Sequence, residues 1–227
     1  MTALPVPPSR VEQVYDAIID EICSGELAGG APLRQELLAE RFQISRQPIQ
    51  QALLLLKSHG LVRETANRRG LEVVPLDEKF VVDLYEMRAA IDGLAARRAA
   101  DRRTDRDIDY IAEVLARGEQ AVAEGSFAHM ITADMEFHQY LLKVADNTLL
   151  LETTAVLFHN VRRVMGEVLR HSGTPQWVWN EHKKIHDAIV AGDADLADQL
   201  SKEHADHGCE LILGAMRGDN VENLFAS

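Results

Sequence analysis

Apolar positions recur every three to four residues along most of the chain and break at a few clusters of glycine, proline and asparagine. Val11, Val14, Ile18 and Ile22 form the first such stripe, which Gly25, Gly29, Gly30 and Pro32 interrupt. Leu33 starts a second short helical segment. A third comes after a tight turn, with Ile49, Leu53 and Leu56 as its apolar anchors. The period then changes: Leu61-Val62-Arg63-Glu64-Thr65 and Leu71-Glu72-Val73-Val74 read as two strands around Ala66-Asn67-Arg68-Arg69-Gly70. Pro75 closes this part and marks a domain boundary. From Asp77 onward the pattern is helical. Breakers at Gly125, Asp146-Asn147, Gly173-Thr174-Pro175 and Gly192-Asp193 divide it into helices near 78–102, 105–123, 126–144, 147–171, 175–191 and 194–217. The expected fold is mainly α, a small mixed unit at 1–75 followed by an all-α bundle at 78–227.

The first unit has the order of parts that a DNA reader needs. Ser45 is suited to cap the third helix, and Pro48 falls in its first turn, where a missing N–H does no harm. Directly after the cap come Arg46, Gln47 and Gln50, long enough to reach base edges and phosphates. That is the design of a recognition helix entering the major groove. Arg68, Arg69 and Gly70 make the hairpin behind it a basic wing. A helix pair alone is common in small helical domains. The cap, polar turn, anchors and basic hairpin in this order point instead to a winged helix–turn–helix whose partner is double-stranded DNA.

Charge first looks opposed, because the chain has 24 basic and 36 acidic residues and a formal net charge of −12. Its placement removes the objection. Between Arg41 and Arg69 six basic residues face Glu64 alone, a local net of +5, and phosphate binding needs local rather than global positive charge. The remaining composition, 46% hydrophobic and 26% charged, is that of an ordinary globular chain. No apolar run approaches membrane-spanning length, and Met1 does not open a signal peptide. Cys23 and Cys209 are too few for a disulfide framework, so a reducing cytoplasm is the expected location.

The helical half holds eight of the nine histidines. Asp134 and His138 are four apart and share a face with Met130, Ile131, Phe137 and Leu141. His182 lies on the apolar stripe of Ile185 and Ile189, whereas His186 aligns with Lys183 and Val190 and reads as peripheral. His204 follows Ala197 and Leu200 and precedes Leu211, with His207 as its competitor. One Asp and three His pointing inward from three helices suit zinc, nickel or a similar divalent transition ion. A buried salt-bridge network is the alternative. Arg88 shares a stripe with Val81, Leu84, Ile91 and Ala95. It reads either as an ion-pair partner of Asp92 or Asp134, or as a clamp for a ligand carboxylate. Arg162, near Phe158, Met165 and Leu169, is a weaker candidate for the same effector-binding role.

These residues together resemble a GntR-family transcriptional regulator of the FadR type with a C-terminal FCD domain. The likeness runs from Val11 to Arg217. Ser45-Arg46-Gln47-Pro48-Ile49-Gln50-Gln51-Ala52-Leu53 is similar to the family's S-R-T-P-V-R-E-A-L, and Gly60-Leu61-Val62 and Asn67-Arg68-Arg69-Gly70 match the family's helix end and wing. Asp134-x3-His138, Asn147, Glu181-His182, Gly192-Asp193, Ala197 and His204 match the FCD pattern. The resemblance implies a cytoplasmic homodimer, often a repressor, that answers to a small organic acid or sugar acid. It also implies a metal held by Asp134, His138, His182 and His204, choosing His204 over His207. Gln47, Gln50 and Gln51 depart from the family's Thr, Arg and Glu, so an amide suited to adenine replaces a guanine-reading fork. Glu36 stands where a basic residue is sometimes found. The reading is therefore a regulator and not an enzyme. Its rivals are a metal-dependent hydrolase using the Asp/His3 site, although no inward general base is apparent, and a metal-free regulator with a larger, apolar effector.

Overall fold

The computed structural model describes residues 8–67, 70–169 and 176–219. The chain divides into two compact units, Met1–Leu76 and Asp77–Ser227.

The first unit begins with α1 (Arg10–Cys23), opened by a reciprocal capping box in which Ser9 Oγ accepts from the Glu12 amide and Glu12 accepts from the Ser9 amide. Helices α2 (Gln35–Phe42) and α3 (Arg46–Ser58) come next, and the turn between them is made by Gln43 in the left-handed conformation at φ 54°. Ser45 occupies the N-cap position of α3, but its side chain makes no capping hydrogen bond. Ile18, Ile22, Ile49, Leu53, Leu56 and Val73 form the fully buried centre of this unit. Strands β2 (Val62–Glu64) and β3 (Leu71–Val73) form the hairpin, and β1 (Pro32–Leu33) adds to it in the antiparallel order β1-β3-β2. Register is set by Leu33 against Leu71 and Val62 against Val73. The apolar pattern puts Leu33 at a helix start. It is instead the second residue of an edge strand, where Pro32 costs no ladder bond, and α2 begins two residues later.

The second unit holds α4 (Glu78–Arg102), α5 (Asp105–Ala123), α6 (Phe127–Val144), α7 (Thr148–Val168), α8 (Gln176–Ala191) and α9 (Ala194–Arg217). Side chains of Asp77, Thr104, Asn147 and Asp193 cap four of these helices. The sequence-predicted ends at 170–171 and start at 175 lie outside the described residues. Helix α4 lies along α9, and Gly93 allows that close approach: a Cβ there would overlap Asp198 and Lys202. Gly118 on α5 does the same for α8, leaving space that the Trp179 ring fills. Trp179 in turn backs onto His182, with ring centroids 5.1 Å apart. Helix packing thus fixes one wall of the histidine cluster. Among the described residues no helix is long and apolar enough to cross a membrane.

Candidate functional site

In the first unit, Ser45, Arg46, Gln47 and Gln50 are all exposed on the first turns of α3, while Ile49, Leu53 and Leu56 bury the opposite face. The helix therefore presents its polar start to solvent because its apolar stripe is consumed by α1 and the sheet. A groove of about 490 Å³ runs between this turn and the base of the wing, lined by Arg34, Glu36, Arg46, Gly70 and Leu71. Arg46 reaches Glu36 at 3.1 Å across it. Both partners are largely solvated, so the pair holds little energy and releases Arg46 readily. Arg34, which periodicity does not single out, borders the same groove at the N-cap of α2. Its exposed cation beside an exposed helix start was the available signal. Arg68 and Arg69 lie outside the described residues.

In the second unit, Asp134 and His138 of α6, His182 of α8 and His204 of α9 meet in the interior. All four are buried, and one ligand atom from each lies within 4.8 Å of the others. The Nε2 atoms of His138 and His182 are 3.2 Å apart, and Asp134 Oδ1 is 3.4 Å from His182 Nε2. Separations of this order are those of donors sharing a transition ion at roughly 2.0–2.2 Å. The protonation pattern fits as well. Asp92 Oδ2 stands 3.0 Å from His138 Nδ1, and Glu181 Oε2 is 2.9 Å from His204 Nδ1. A carboxylate facing Nδ1 keeps the proton there and turns the Nε2 lone pair inward. Among the described residues no carboxylate faces His182 Nδ1. Its ring is held by packing, with Phe137 at 4.5 Å and Trp179 on the other side. Burial first, then His204 and His138, push the His182 imidazole well below its usual value, and burial outweighs Glu181 in lowering His204. Both are neutral near pH 7, as a metal ligand must be.

Spacing alone leaves two histidines of α9 in competition. His204 is 4% exposed in its side chain and faces the cluster, whereas His207 is 34% exposed and binds the other Glu181 oxygen at 2.6 Å. His186 is peripheral, beside Asp187 at 3.5 Å. Asp92 and Glu181 are the orienting residues that periodicity does not assign. Asp92, named from the sequence only as a possible ion-pair partner of Arg88, makes that pair at 3.1 Å and faces His138 as well. Burial works against its charge, but His138 and Arg88 outweigh this and hold it at about 2.

Arg88 is buried, with Nε 3.1 Å from Asp92 and Nη2 3.7 Å from Asp134. It borders a cavity of about 20 Å³ that Asp134 and His204 also line. The two readings of Arg88, ion-pair partner and ligand clamp, are thus geometrically compatible. Arg162 is half-buried and is not among that cavity's walls. The wholly buried arginine of α7 is its neighbour Arg163, whose Nη2 lies 3.7 Å from Glu167.

The depressed imidazoles give a pH prediction for the metal-free protein. Below about pH 6.5 the unfolded chain takes up protons that His182 and His204 refuse when folded. Their contribution is therefore fully present above that pH and is lost as pH falls. Glu181 and Asp92, whose values are lowered, add to the loss only further into acid. Urea midpoints of chelator-treated protein should drop between about pH 7.5 and 5.5. An unchanged midpoint would mean that these rings are not held neutral.

Comparison with known proteins accounts for both units. Residues 10–73 match the bacterial regulatory proteins of the gntR family, and residues 83–207 match the FCD domain. The probable D-xylose utilization operon transcriptional repressor of Paenarthrobacter nicotinovorans is 31% identical over 194 residues, covering 85% of this chain and 84% of that one. The HTH-type transcriptional repressor RspR of Escherichia coli (strain K12) is 28% identical over 201 residues, 88% of each chain. Among solved structures, E. coli McbR/YncC superposes with a TM-score of 0.81 at 18% identity, covering 92% of this chain and all (100%) of that one. A putative GntR regulator from Rhodococcus sp. RHA1 does so at 0.76 and 24%, covering 92% and 99%. The two sequence relatives are named as transcriptional repressors and the Rhodococcus structure as a putative transcriptional regulator, none of these three as an enzyme. With a GntR helix–turn–helix at its start and an FCD domain across most of its helical half, the chain belongs to the GntR family of bacterial transcriptional regulators.

Proposed function

We propose that this regulator is a cytoplasmic homodimeric repressor whose helical domain holds a divalent transition ion, zinc or nickel, and answers to a small carboxylate effector. The DNA-binding unit is assigned to 1–75 and the metal, effector and dimerisation unit to 78–227. Convergence of Asp134, His138, His182 and His204 beside Arg88 is the observation that carries the reading. The sign of regulation is supported by the two relatives named as repressors.

Asp134 and the three imidazoles would hold the ion, with Asp92 and Glu181 fixing the tautomers of His138 and His204. When bound, the ion supplies a positive centre for an anionic ligand. Arg88 supplies a second one, in the fork geometry that matches a carboxylate. Because α4 is the helix that follows the wing directly in sequence, a ligand bound at Arg88 acts on the element joined to the DNA reader. An effector shifts the DNA-binding equilibrium only by its differential affinity for the two arrangements, commonly about 1–3 kcal/mol.

Arg46, Gln47 and Gln50 would read base edges from α3, with Ser45, Arg68, Arg69 and Gly70 positioning the backbone. A two-fold operator follows from a dimer. Fluorescence anisotropy with a fragment of the chain's own promoter region tests the assignment. Arg46→Ala should weaken specific binding by about 1–3 kcal/mol, roughly 5- to 150-fold, and Arg68→Ala should lower affinity more evenly across sequences. Unchanged binding by both variants at moderate salt would remove the reading surface from this face.

A further inference from the structure

The four described cations between Arg41 and Asn67 are all engaged by carboxylates of the same unit: Arg41 by Glu21, Arg46 by Glu36, Lys57 by Glu64 and Arg63 by Glu72. Glu21, Glu36 and Glu72 lie outside the stretch whose local charge is +5. Folding therefore offsets much of the positive charge gathered there.

The Arg46–Glu36 pair differs from the others in position. Glu36 lies in the first turn of α2, Arg46 is the first residue of α3, and the left-handed turn at Gln43 brings the two helix starts together. An acid in its first turn suits α2, because it complements the helix dipole. A cation at the start of α3 does not, and that first turn holds no acid of its own. Glu36 supplies the missing anion from the neighbouring helix. The contact joins Arg46 Nη2 to Glu36 Oε1 at 3.1 Å. A guanidinium has enough N–H groups to keep that contact and still donate to two acceptors on a base edge.

Charge and geometry act differently on the two kinds of DNA contact. A carboxylate against Arg46 cancels the charge by which it would hold any backbone phosphate, and phosphate contacts reward net positive charge whatever the sequence. It leaves the planar fork intact, whose worth at a base edge depends on direction. The side chains are 69% and 72% exposed, so the pair biases Arg46 without locking it.

Resting on the reading face assigned above, we infer that Glu36 is a specificity-determining residue of this regulator: it positions the Arg46 guanidinium for a base edge and denies it to backbone phosphates. Glu36 acts through Arg46 and touches no base in this role.

The test is fluorescence anisotropy of the full chain over a range of salt. It compares a duplex from the chain's own promoter region with a scrambled duplex of the same length and composition. Glu36→Gln keeps the side-chain shape and removes the charge. At about 0.1 M salt it should tighten binding to the scrambled duplex about threefold to tenfold, and steepen the log–log salt dependence by about 0.9 per bound protomer. Promoter binding should change by less than about twofold, so the ratio of the two affinities falls. Glu36→Asp keeps the charge on a shorter stem, so the salt dependence should match the parent while the ratio falls part of the way. Both side chains of the pair are exposed, so thermal melting of these variants should match the parent. In an Arg46→Ala background, Glu36→Gln should leave the ratio where it is. A ratio that Glu36→Gln leaves at the parent value, whether both affinities rise together or neither moves, overturns the inference. An equal fall in the Arg46→Ala background also overturns it, because Glu36 would then act without Arg46. Promoter binding by Arg46→Ala equal to the parent's would instead remove the reading face, and this inference with it.

Discussion

His138→Ala and His182→Ala are expected to leave purification without stoichiometric metal and to melt far below the parent protein. Their Nε2 atoms stand 3.2 Å apart at the centre of the cluster, and with Asp134 and His204 they draw on three separate helices. An ion bound there ties α6, α8 and α9 together, so its binding energy becomes folding energy. At a free concentration a thousandfold above its dissociation constant it contributes about 4 kcal/mol. For a chain of this length that corresponds to roughly 8–16 °C in Tm. The variants also lose packing, since His138 and His182 touch Phe137 at ring-centroid distances of 5.1 and 4.5 Å. Melting with and without chelator separates the two effects: chelator should lower the Tm of the parent and leave the alanine variants unmoved. His186→Ala, whose ring lies on the same helix as His182 but outside the ligand set, should keep both the metal and the chelator response. Equal metal content in the parent and in His138→Ala, measured by elemental analysis, would end the assignment.

That cluster was largely legible in the sequence because Asp134, His138 and His182 each sit on a clear helical stripe. Asp134 and His138 repeat at four residues with Phe137 and Leu141 beside them, and His182 shares the face of Ile185 and Ile189, all buried. The pattern is weaker where the burial stripe is broad. In α7, Val161, Arg163, Val164, Met165 and Gly166 are all buried, so periodicity does not single out one arginine, and Arg162 and Arg163 cannot be told apart by spacing. His204 and His207 are three apart and both reach Glu181, so only the depth of packing separates them. The orienting carboxylates were hidden for another reason. Asp92–His138 and Glu181–His204 are contacts between different helices, and nothing in the local pattern of α4 or α8 encodes the partner. Strand β1 failed at the opposite extreme. Two residues have no period, and Pro32–Leu33 becomes a strand only because β3 offers its free edge.

Arg88→Ala should destabilise the metal-free protein by about 3–5 kcal/mol, because it leaves Asp92 and Asp134 buried without a countercharge. The guanidinium is 3% exposed, and the two carboxylates paired with it are equally deep. Burial opposes its charge, but Tyr85, Asp92 and Asp134 outweigh this and keep it protonated. Divalent metal should rescue much of the loss, since a cation held by Asp134 takes over one of the two uncompensated charges. Urea unfolding with zinc and with chelator measures both quantities. Alanine therefore cannot separate the structural role of Arg88 from its proposed role as a clamp, and Arg88→Lys is the informative change. Lysine keeps the charge between the two carboxylates, so most of the stability should return. It lacks the planar fork that matches a carboxylate with two parallel hydrogen bonds, so acetate, the simplest carboxylate probe, should bind about tenfold or more weakly. An Arg88→Ala protein as stable as the parent would mean that Asp92 and Asp134 do not depend on this cation. A lysine variant that binds acetate like the parent would mean that positive charge alone recruits the carboxylate, with the second contact made elsewhere.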